Sequence, residues 1–125
     1  MYTRSSLHNK TLGNKGESIA VEYLREKGMT ILERNVTSRW GEIDIIALRG
    51  QVLVFVEVKT KTGFIHGKPY EAVNYRKVEA LKRAAQFYIM KNKRREEKYA
   101  IDVVSIVMCT SGEVIEIQHF DNIQL

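Results

Sequence analysis

Residues 41–60 read GEIDIIALRGQVLVFVEVKT, two β-rich runs, 41–48 and 51–60, on either side of Arg49 and Gly50. Two such runs separated by a two-residue break that contains glycine predict a β-hairpin. The second run is apolar at successive positions, which is typical of a central strand covered on both faces. We therefore expect a sheet with helices packed against both of its sides.

Charged residues occur in this hairpin where a purely structural strand would have none. Glu57 and Lys59 fall on the same face as Phe55, because strand side chains alternate with a period of two. With the turn at the two-residue break, Asp44 lies opposite Phe55 and Glu42 lies opposite Glu57. Asp44 and Glu57 are then diagonal neighbours on one face, with their backbones about 7 to 8 Å apart.

Asp44 and Glu57 are candidate metal ligands. Two carboxylates on adjacent strands supply the oxygen donors that Mg²⁺ or Mn²⁺ requires. Lys59 points into the same pocket, where it can position a water molecule or neutralise charge on a phosphate. The structural alternative is a solvated hairpin face or an ion pair between Glu57 and Lys59.

The remaining sequence predicts the other elements of a single α/β domain. Predicted helices occupy residues 12–27 and 69–91, and further predicted strands occupy 30–35, 100–108 and 114–120. The first helix ends at Gly28 and the second begins at Pro69, residue types that favour those ends. The order α-β-β-β-α-β-β predicts a mixed sheet flanked by helices, in a domain of residues 12–125 that follows a flexible N-terminus, 1–11.

Glu17 falls on the apolar stripe of the first predicted helix, together with Ala20, Val21 and Leu24. A charge on such a stripe needs a reason, and a metal site beneath the helix would be one. The alternative is a capping box, in which Asn14 is the first residue of the helix and Glu17 closes the box three positions later. The residues by themselves leave both interpretations open.

The composition limits the class of protein. The chain has 125 residues, with 20 Lys and Arg against 15 Asp and Glu, a net charge of +5. This basic excess suits a polyanionic partner without requiring one. Cys109 is the one cysteine, which excludes an intrachain disulfide and favours a reducing, cytoplasmic location. Every apolar run is too short to span a bilayer, so no membrane association is expected.

The hairpin motifs resemble the core of the PD-(D/E)xK nuclease superfamily. Residues 41–47, GEIDIIA, and residues 54–59, VFVEVK, carry this resemblance. The chain is more closely similar to the bacterial YraN family, predicted nucleases that resemble archaeal Holliday junction resolvases. Further matches to that family are Gly16, Glu17, Gly28, Arg34, Asn35, Arg39, Lys77, Asp102 and His119. Ile43 stands where the superfamily motif has proline.

The resemblance implies a restriction-endonuclease-like fold and a metal-dependent endonuclease activity. It implies that Asp44 and Glu57 bind Mg²⁺ or Mn²⁺ and that Lys59 is the catalytic lysine. Glu17 would be the catalytic acidic residue of the first helix. The implied substrate is DNA, with branched or junction DNA favoured. Because a junction resolvase cuts two symmetric strands, a homodimer is also expected.

Basic residues around the predicted pocket are candidate contacts to a nucleic-acid backbone. Some flank the hairpin, one lies in the glycine-containing loop that follows it, and the others lie along the exposed side of the long helix. The candidates are Arg34, Arg39, His66, Arg76, Lys77 and Arg83.

A nucleic-acid-binding accessory protein that keeps the nuclease fold without turnover is the competing interpretation. Residues 13–16, GNKG, match the GxxG backbone clamp of a KH module. The β-hairpin that follows does not fit that module, so the nuclease interpretation is preferred.

Overall fold

A computed structural model describes residues 4–63, 75–96 and 98–123. Within these ranges the elements are α1 (Arg4–Glu26), β1 (Thr30–Ser38), β2 (Gly41–Arg49), β3 (Val52–Thr62), α2 (Tyr75–Lys91), β4 (Lys98–Met108) and β5 (Val114–Phe120). The predicted order, α-β-β-β-α-β-β, is confirmed. Neither described helix combines the length and the apolar character that crossing a membrane requires.

The five strands form one mixed sheet in the order β1-β2-β3-β4-β5. Neighbouring strands are antiparallel except β3 and β4, which are parallel. Parallel neighbours need a crossover connection, and α2 lies between β3 and β4 in the sequence. The predicted α/β class with a mixed sheet is therefore confirmed.

The alternating apolar residues of β3 contribute to two separate cores. Val54 and Val56 pack in the core that includes α1, and Leu53 and Phe55 pack in the core that includes α2. The buried residues of α2 are Val78, Leu81, Ala84, Ala85 and Tyr88. Fully burying a side chain such as that of Phe55 stabilises the fold by roughly 1.5 to 3 kcal/mol, so β3 is well anchored. The predicted central strand, covered on both faces, is confirmed.

The predicted start of the first helix is wrong. α1 begins at Arg4 rather than near Leu12, and Asn14 lies inside it. The apolar period begins only at Leu12, but a helix anchored by its packed part extends readily into polar sequence, because each added residue gains a hydrogen bond. The GxxG sequence therefore lies within a helix and not in a clamp-forming loop. The flexibility of residues 1–11 stays a prediction.

The hairpin turn lies one residue later than predicted. Arg49 ends β2 and pairs with Val52, so Gly50 and Gln51 form the connection. Gly50 has a φ of 62°, the left-handed region that glycine adopts without strain. Arg49 stays in the strand, where its guanidinium lies 2.6 Å from the carboxylate of Asp102.

This turn changes the predicted pairing of the site residues. The β2–β3 pairs end at Ile45 and Val56, so in the same register the next positions are Asp44 and Glu57. The predicted pairing of Asp44 with Phe55 is wrong, because Phe55 pairs with Ile46, and Asp44 and Glu57 lie just past the last pair. For the residues that are paired, a shift of two residues does not change the face on which a side chain lies, because the strand repeat is two.

The end of α2 at Lys91 agrees with the sequence prediction. The predicted start of this helix at Pro69 and the candidate contact His66 lie outside the residues that the structure describes.

Candidate active site

The four predicted catalytic residues line one pocket, where α1 approaches β2 and β3. Glu17 comes from α1, Asp44 from β2, and Glu57 and Lys59 from β3. Lys77 of α2 joins them, and the pocket has a volume of about 330 Å³. Residues far apart in the sequence, from both helices and from two strands, thus meet at one pocket.

Gly16 allows α1 to approach β3 at this pocket. Gly16 is buried, and a Cβ atom there would lie 2.0 Å from Oγ1 of Thr60. No residue with a side chain fits that space unless Thr60 or the helix moves. The close approach brings the next residue, Glu17, to the carboxylates of the strands.

Asp44 is held by a backbone amide of the neighbouring strand. Its Oδ2 accepts a hydrogen bond of 2.8 Å from the amide of Val58, just beyond the last β2–β3 pair. The side chain thus takes the place that a strand carbonyl would occupy. Burial, and then the nearby charge of Glu57, raises the pKa of Asp44 to about 8, although the Val58 amide lowers it. A cation bound at Asp44 would relieve this unfavourable charge.

Glu57 is buried, with 6% of its surface exposed, and it is paired with two lysines. Its Oε1 lies 2.7 Å from Nζ of Lys77 and 3.4 Å from Nζ of Lys59. The ion pair with Lys59 that the structural alternative predicted is therefore present. Burial and the neighbouring Lys77 lower the pKa of Lys59, against the attraction of Glu57. Burial would also lower the pKa of Lys77, but its contact with Glu57 outweighs burial and raises it.

Glu17 is not part of a capping box, because α1 runs through Asn14. Its carboxylate lies 4.0 Å from the guanidinium of Arg34. Burial and the nearby charge of Glu42 raise the pKa of Glu17, while Arg34 lowers it. Glu17 is therefore a half-buried carboxylate beside other acids, and a capping box does not explain its place on the apolar stripe of the helix.

Glu42 and Asn35 belong to the same polar cluster, although sequence reasoning placed Glu42 on this face without predicting either residue as a member of the site. Glu17, Glu42 and Asp44 each offer an oxygen within 4.8 Å of the others, an arrangement that could hold a metal ion. With its amide nitrogen turned to the acids, Asn35 donates to Glu17 at 2.9 Å and to Glu42 at 2.8 Å. The strand alternation that placed Glu42 on the face of Asp44 could have predicted Glu42 as part of the site. For Asn35, the family resemblance was the one indication in the sequence.

A second pocket, of about 320 Å³, lies on the α2 side of the same residues. Asp44, Glu57 and Lys77 line both pockets, and Trp40 and Leu81 line the second one. These three charged side chains therefore separate the two spaces, and a ligand in either pocket would reach them.

The structure places the basic candidates in two groups. Lys77 and Arg34 lie at the acidic cluster, where Arg34 also donates to Oγ of Ser18 at 3.3 Å. Arg39 lies over the ring of Trp40, 5.1 Å from its centre.

Arg76 and Arg83 are exposed on α2 and line neither of the two pockets at the acidic cluster. Their role as nucleic-acid contacts, like that of Arg39, stays a prediction.

Comparison with known proteins shows one family. Residues 16–106 match the model of the Uncharacterised protein family UPF0102, a span that includes Glu17, Asp44, Glu57, Lys59 and Lys77. The UPF0102 protein of Geobacter metallireducens is 45% identical over 117 residues, 94% of this chain and 94% of that protein. Those of Caldicellulosiruptor saccharolyticus and Dictyoglomus turgidum are 40% and 38% identical over 116 residues, 93% of this chain and 98% of each protein. The chain therefore belongs to the UPF0102 family, which is the YraN family that its motifs resemble.

Proposed function

We propose that this protein is a metal-dependent endonuclease that hydrolyses phosphodiester bonds in DNA and prefers branched or junction DNA. The strongest support is the pair of carboxylates, Asp44 and Glu57, at neighbouring positions of β2 and β3 with Lys59 beside them. Burying two like charges together costs free energy, so such a pair favours a functional role over a structural one. The nuclease-like motifs of the family support the same chemistry.

The acidic residues fit a divalent cation by the chemistry of their donor atoms. Asp44 and Glu57 would hold Mg²⁺ or Mn²⁺, with Glu17 and Glu42 next to Asp44. Burial raises the pKa of Asp44 to about 8, and a cation would offset this cost of its charge. When bound, the ion supplies Lewis-acid stabilisation of phosphate charge and lowers the pKa of a water molecule.

The other residues of the site have roles that follow from their positions. The Val58 amide fixes the carboxylate of Asp44 at 2.8 Å. Lys59 lies 3.4 Å from Glu57, where its ammonium can donate to a phosphate oxygen or orient the attacking water. Glu17 is close enough to Asp44 to hold that water from the α1 side.

The basic residues would bind the DNA backbone around the acidic site. We expect Arg34, Arg39, His66, Arg76, Lys77 and Arg83 to contact phosphates. The net charge of +5 favours association with a polyanion. We further infer a cytoplasmic location and, by analogy with junction resolvases, a homodimer that cuts two strands.

A cleavage screen tests the proposal. Linear, nicked, flapped and four-way DNA are incubated with the protein in Mg²⁺ and in Mn²⁺. The wild type should cut at least one of these, and Asp44→Asn and Glu57→Gln should abolish cutting while DNA binding persists. Lys82→Met, which removes an α2 lysine that pairs with Glu79, is the control and should retain activity. Equal cleavage by the wild type and both acid variants would falsify the assignment.

A non-catalytic DNA-binding accessory role is the second candidate. It is favoured by one observation: Lys59 and Lys77 already balance the charge of Glu57 without a metal. Such a protein should bind DNA with an affinity that falls steeply as salt rises, bind no Mn²⁺ in a calorimetric titration, and cut no substrate of the screen.

A further inference from the structure

Lys77 occupies the carboxylate oxygen that the proposed metal would also use. Its Nζ lies 2.7 Å from Oε1 of Glu57, and the Nζ of Lys59 lies 3.4 Å from the same atom. The Glu57 side chain is only 7% exposed. Two ammonium groups therefore share one oxygen of a buried carboxylate, with Asp44 lining the same pocket.

The two lysines differ in how freely they can move. Lys59 is part of the central strand β3, where it is paired with Ser105 of β4, and its side chain is 23% exposed. Lys77 lies near the beginning of the described part of α2, and its side chain is 42% exposed. Lys77 can therefore leave Glu57 by a side-chain rotation, whereas Lys59 is more enclosed.

Lys77 lines both pockets, so each of them offers space beside Glu57 for its ammonium group. A divalent cation on Oε1 of Glu57 would face an ammonium group at 2.7 Å from the same oxygen. The cation and the ammonium would both lie within about 3 Å of that oxygen, and like charges so close together repel, so the cation and Lys77 compete for Glu57.

We propose that Lys77 is a positioning residue that holds Glu57 before a divalent ion binds and then exchanges with that ion. This inference rests on the proposed metal-dependent function. The exchange turns the ammonium of Lys77 from Glu57 toward the pockets, where it meets a phosphate of the substrate. The Lys77 side chain thereby couples metal binding to the contact between its ammonium group and the nucleic acid.

Calorimetric titration with Mn²⁺, without nucleic acid, tests the competition. Lys77→Met should bind Mn²⁺ about tenfold more tightly than the wild type, because the competing ammonium is gone. Lys82→Met is the matched control from the same helix and should bind like the wild type, and Asp44→Asn should lose binding. Absence of Mn²⁺ binding by the folded wild type overturns both the metal site and the exchange. Binding that Lys77→Met does not tighten overturns the exchange alone.

Chemical labelling of lysines separates exchange from a general effect of charge. The wild type is treated with an amine-reactive reagent with and without Mn²⁺, and modification of Lys77 and Lys82 is measured by mass spectrometry. Exchange predicts that Mn²⁺ increases the labelling of Lys77 several-fold and leaves that of Lys82 unchanged. A purely structural Lys77 stays on Glu57, and unchanged labelling of Lys77 in protein that binds Mn²⁺ overturns the proposal.

Discussion

Asp44 and Asp102 are both poorly accessible carboxylates, but their surroundings shift their pKa values in opposite directions. Asp102 is fully buried and accepts hydrogen bonds from Arg49, His119 and the amide of Asn122. Burial would raise the pKa of Asp102, but these contacts outweigh it and lower the pKa. Asp44 faces other acids, and its pKa rises to about 8. One carboxylate thus stabilises the fold, and the other is kept at a cost to stability.

Asp44→Asn should stabilise the metal-free protein at alkaline pH. The pKa of Asp44 is about 8 in the fold against an ordinary value of 3.8. The folded state therefore keeps this proton more tightly than the unfolded state, so the free energy of unfolding is highest below pH 3.8 and falls as the pH rises to about 8. Asparagine does not ionise, so the free energy of unfolding of the variant should exceed that of the wild type by an amount that grows over this range and reaches about 1 to 3 kcal/mol. Urea denaturation in a chelator at pH 4 and pH 8.5 measures it. A variant that is less stable than the wild type at pH 8.5 would contradict this.

Asp102→Asn should destabilise the protein by about 2 to 4 kcal/mol at neutral pH, because it leaves Arg49 and His119 without their buried partner. The pKa of Asp102 is lowered in the fold, so its contribution is present above the ordinary value of 3.8 and is lost as pH falls through the lower folded value. Denaturant curves at pH 7 and at pH 3 should show a smaller difference at pH 3. Glu22→Gln, which breaks an exposed pair with Arg25, is the control and should change little.

At the scale of the elements, the end of the β2–β3 ladder creates the site. Pairing stops at Ile45 and Val56, and the amide of Val58 then binds the Asp44 side chain instead of a strand carbonyl. A fully paired hairpin would use that amide within the sheet and leave Asp44 unsupported. The approach of α1 at Gly16 then completes the acidic cluster.

Gly16→Ala should destabilise the fold by about 1 to 3 kcal/mol and weaken Mn²⁺ binding, because the new methyl group meets Thr60 and pushes Glu17 away from Asp44. Gly13→Ala is a matched control in the same helix. A Cβ at Gly13 meets nothing within 4 Å, and alanine there should stabilise the helix by about 0.5 to 1 kcal/mol. Thermal unfolding and Mn²⁺ calorimetry measure both effects. Equal behaviour of the two variants would show that the close approach at Gly16 is unimportant.

At the scale of the whole molecule, two helices and three strands contribute to one site, since Arg34 and Asn35 of β1 contact its acids. Glu17 of α1 and Lys77 of α2 belong to helices that pack in different cores of the sheet, yet they line the same pocket. The site therefore depends on both cores, and destabilising either should weaken it. Arg76 and Arg83 are exposed on α2, the helix that also carries Lys77.

Arg76→Glu and Arg83→Glu should weaken DNA binding for all sequences alike, since phosphate contacts carry no sequence information. The slope of log affinity against log salt should fall by about 0.9 for each phosphate contact that is lost. Fluorescence anisotropy over a series of salt concentrations, without a divalent metal, measures this slope. Lys27→Glu changes a cation beyond the end of α1 that lies over the Tyr23 ring, and it should leave the slope unchanged. Equal losses of affinity in all three variants would mean that only the overall positive charge attracts DNA, and would contradict specific contacts by Arg76 and Arg83.

Local periodicity explains how much the sequence could predict. The order of elements and the two apolar faces of β3 follow from repeats that neighbouring residues express by themselves. The same repeat placed Asp44, Glu57 and Lys59 on one face, and in the structure these three residues line one pocket. The catalytic and metal-binding roles of these residues stay predictions.

The sequence by itself thus determined the fold class and the candidate residues of the strands, because period-two alternation is a property of the local chain. Only the tertiary structure decided that the Val58 amide binds Asp44, that Glu42 and Asn35 join Glu17, and that Lys77 contacts Glu57. These contacts depend on the turn at Gly50, on the left-handed backbone of Asn35, whose φ is 54°, and on the packing of both helices. Such features are set by long-range packing, which no short stretch of sequence encodes.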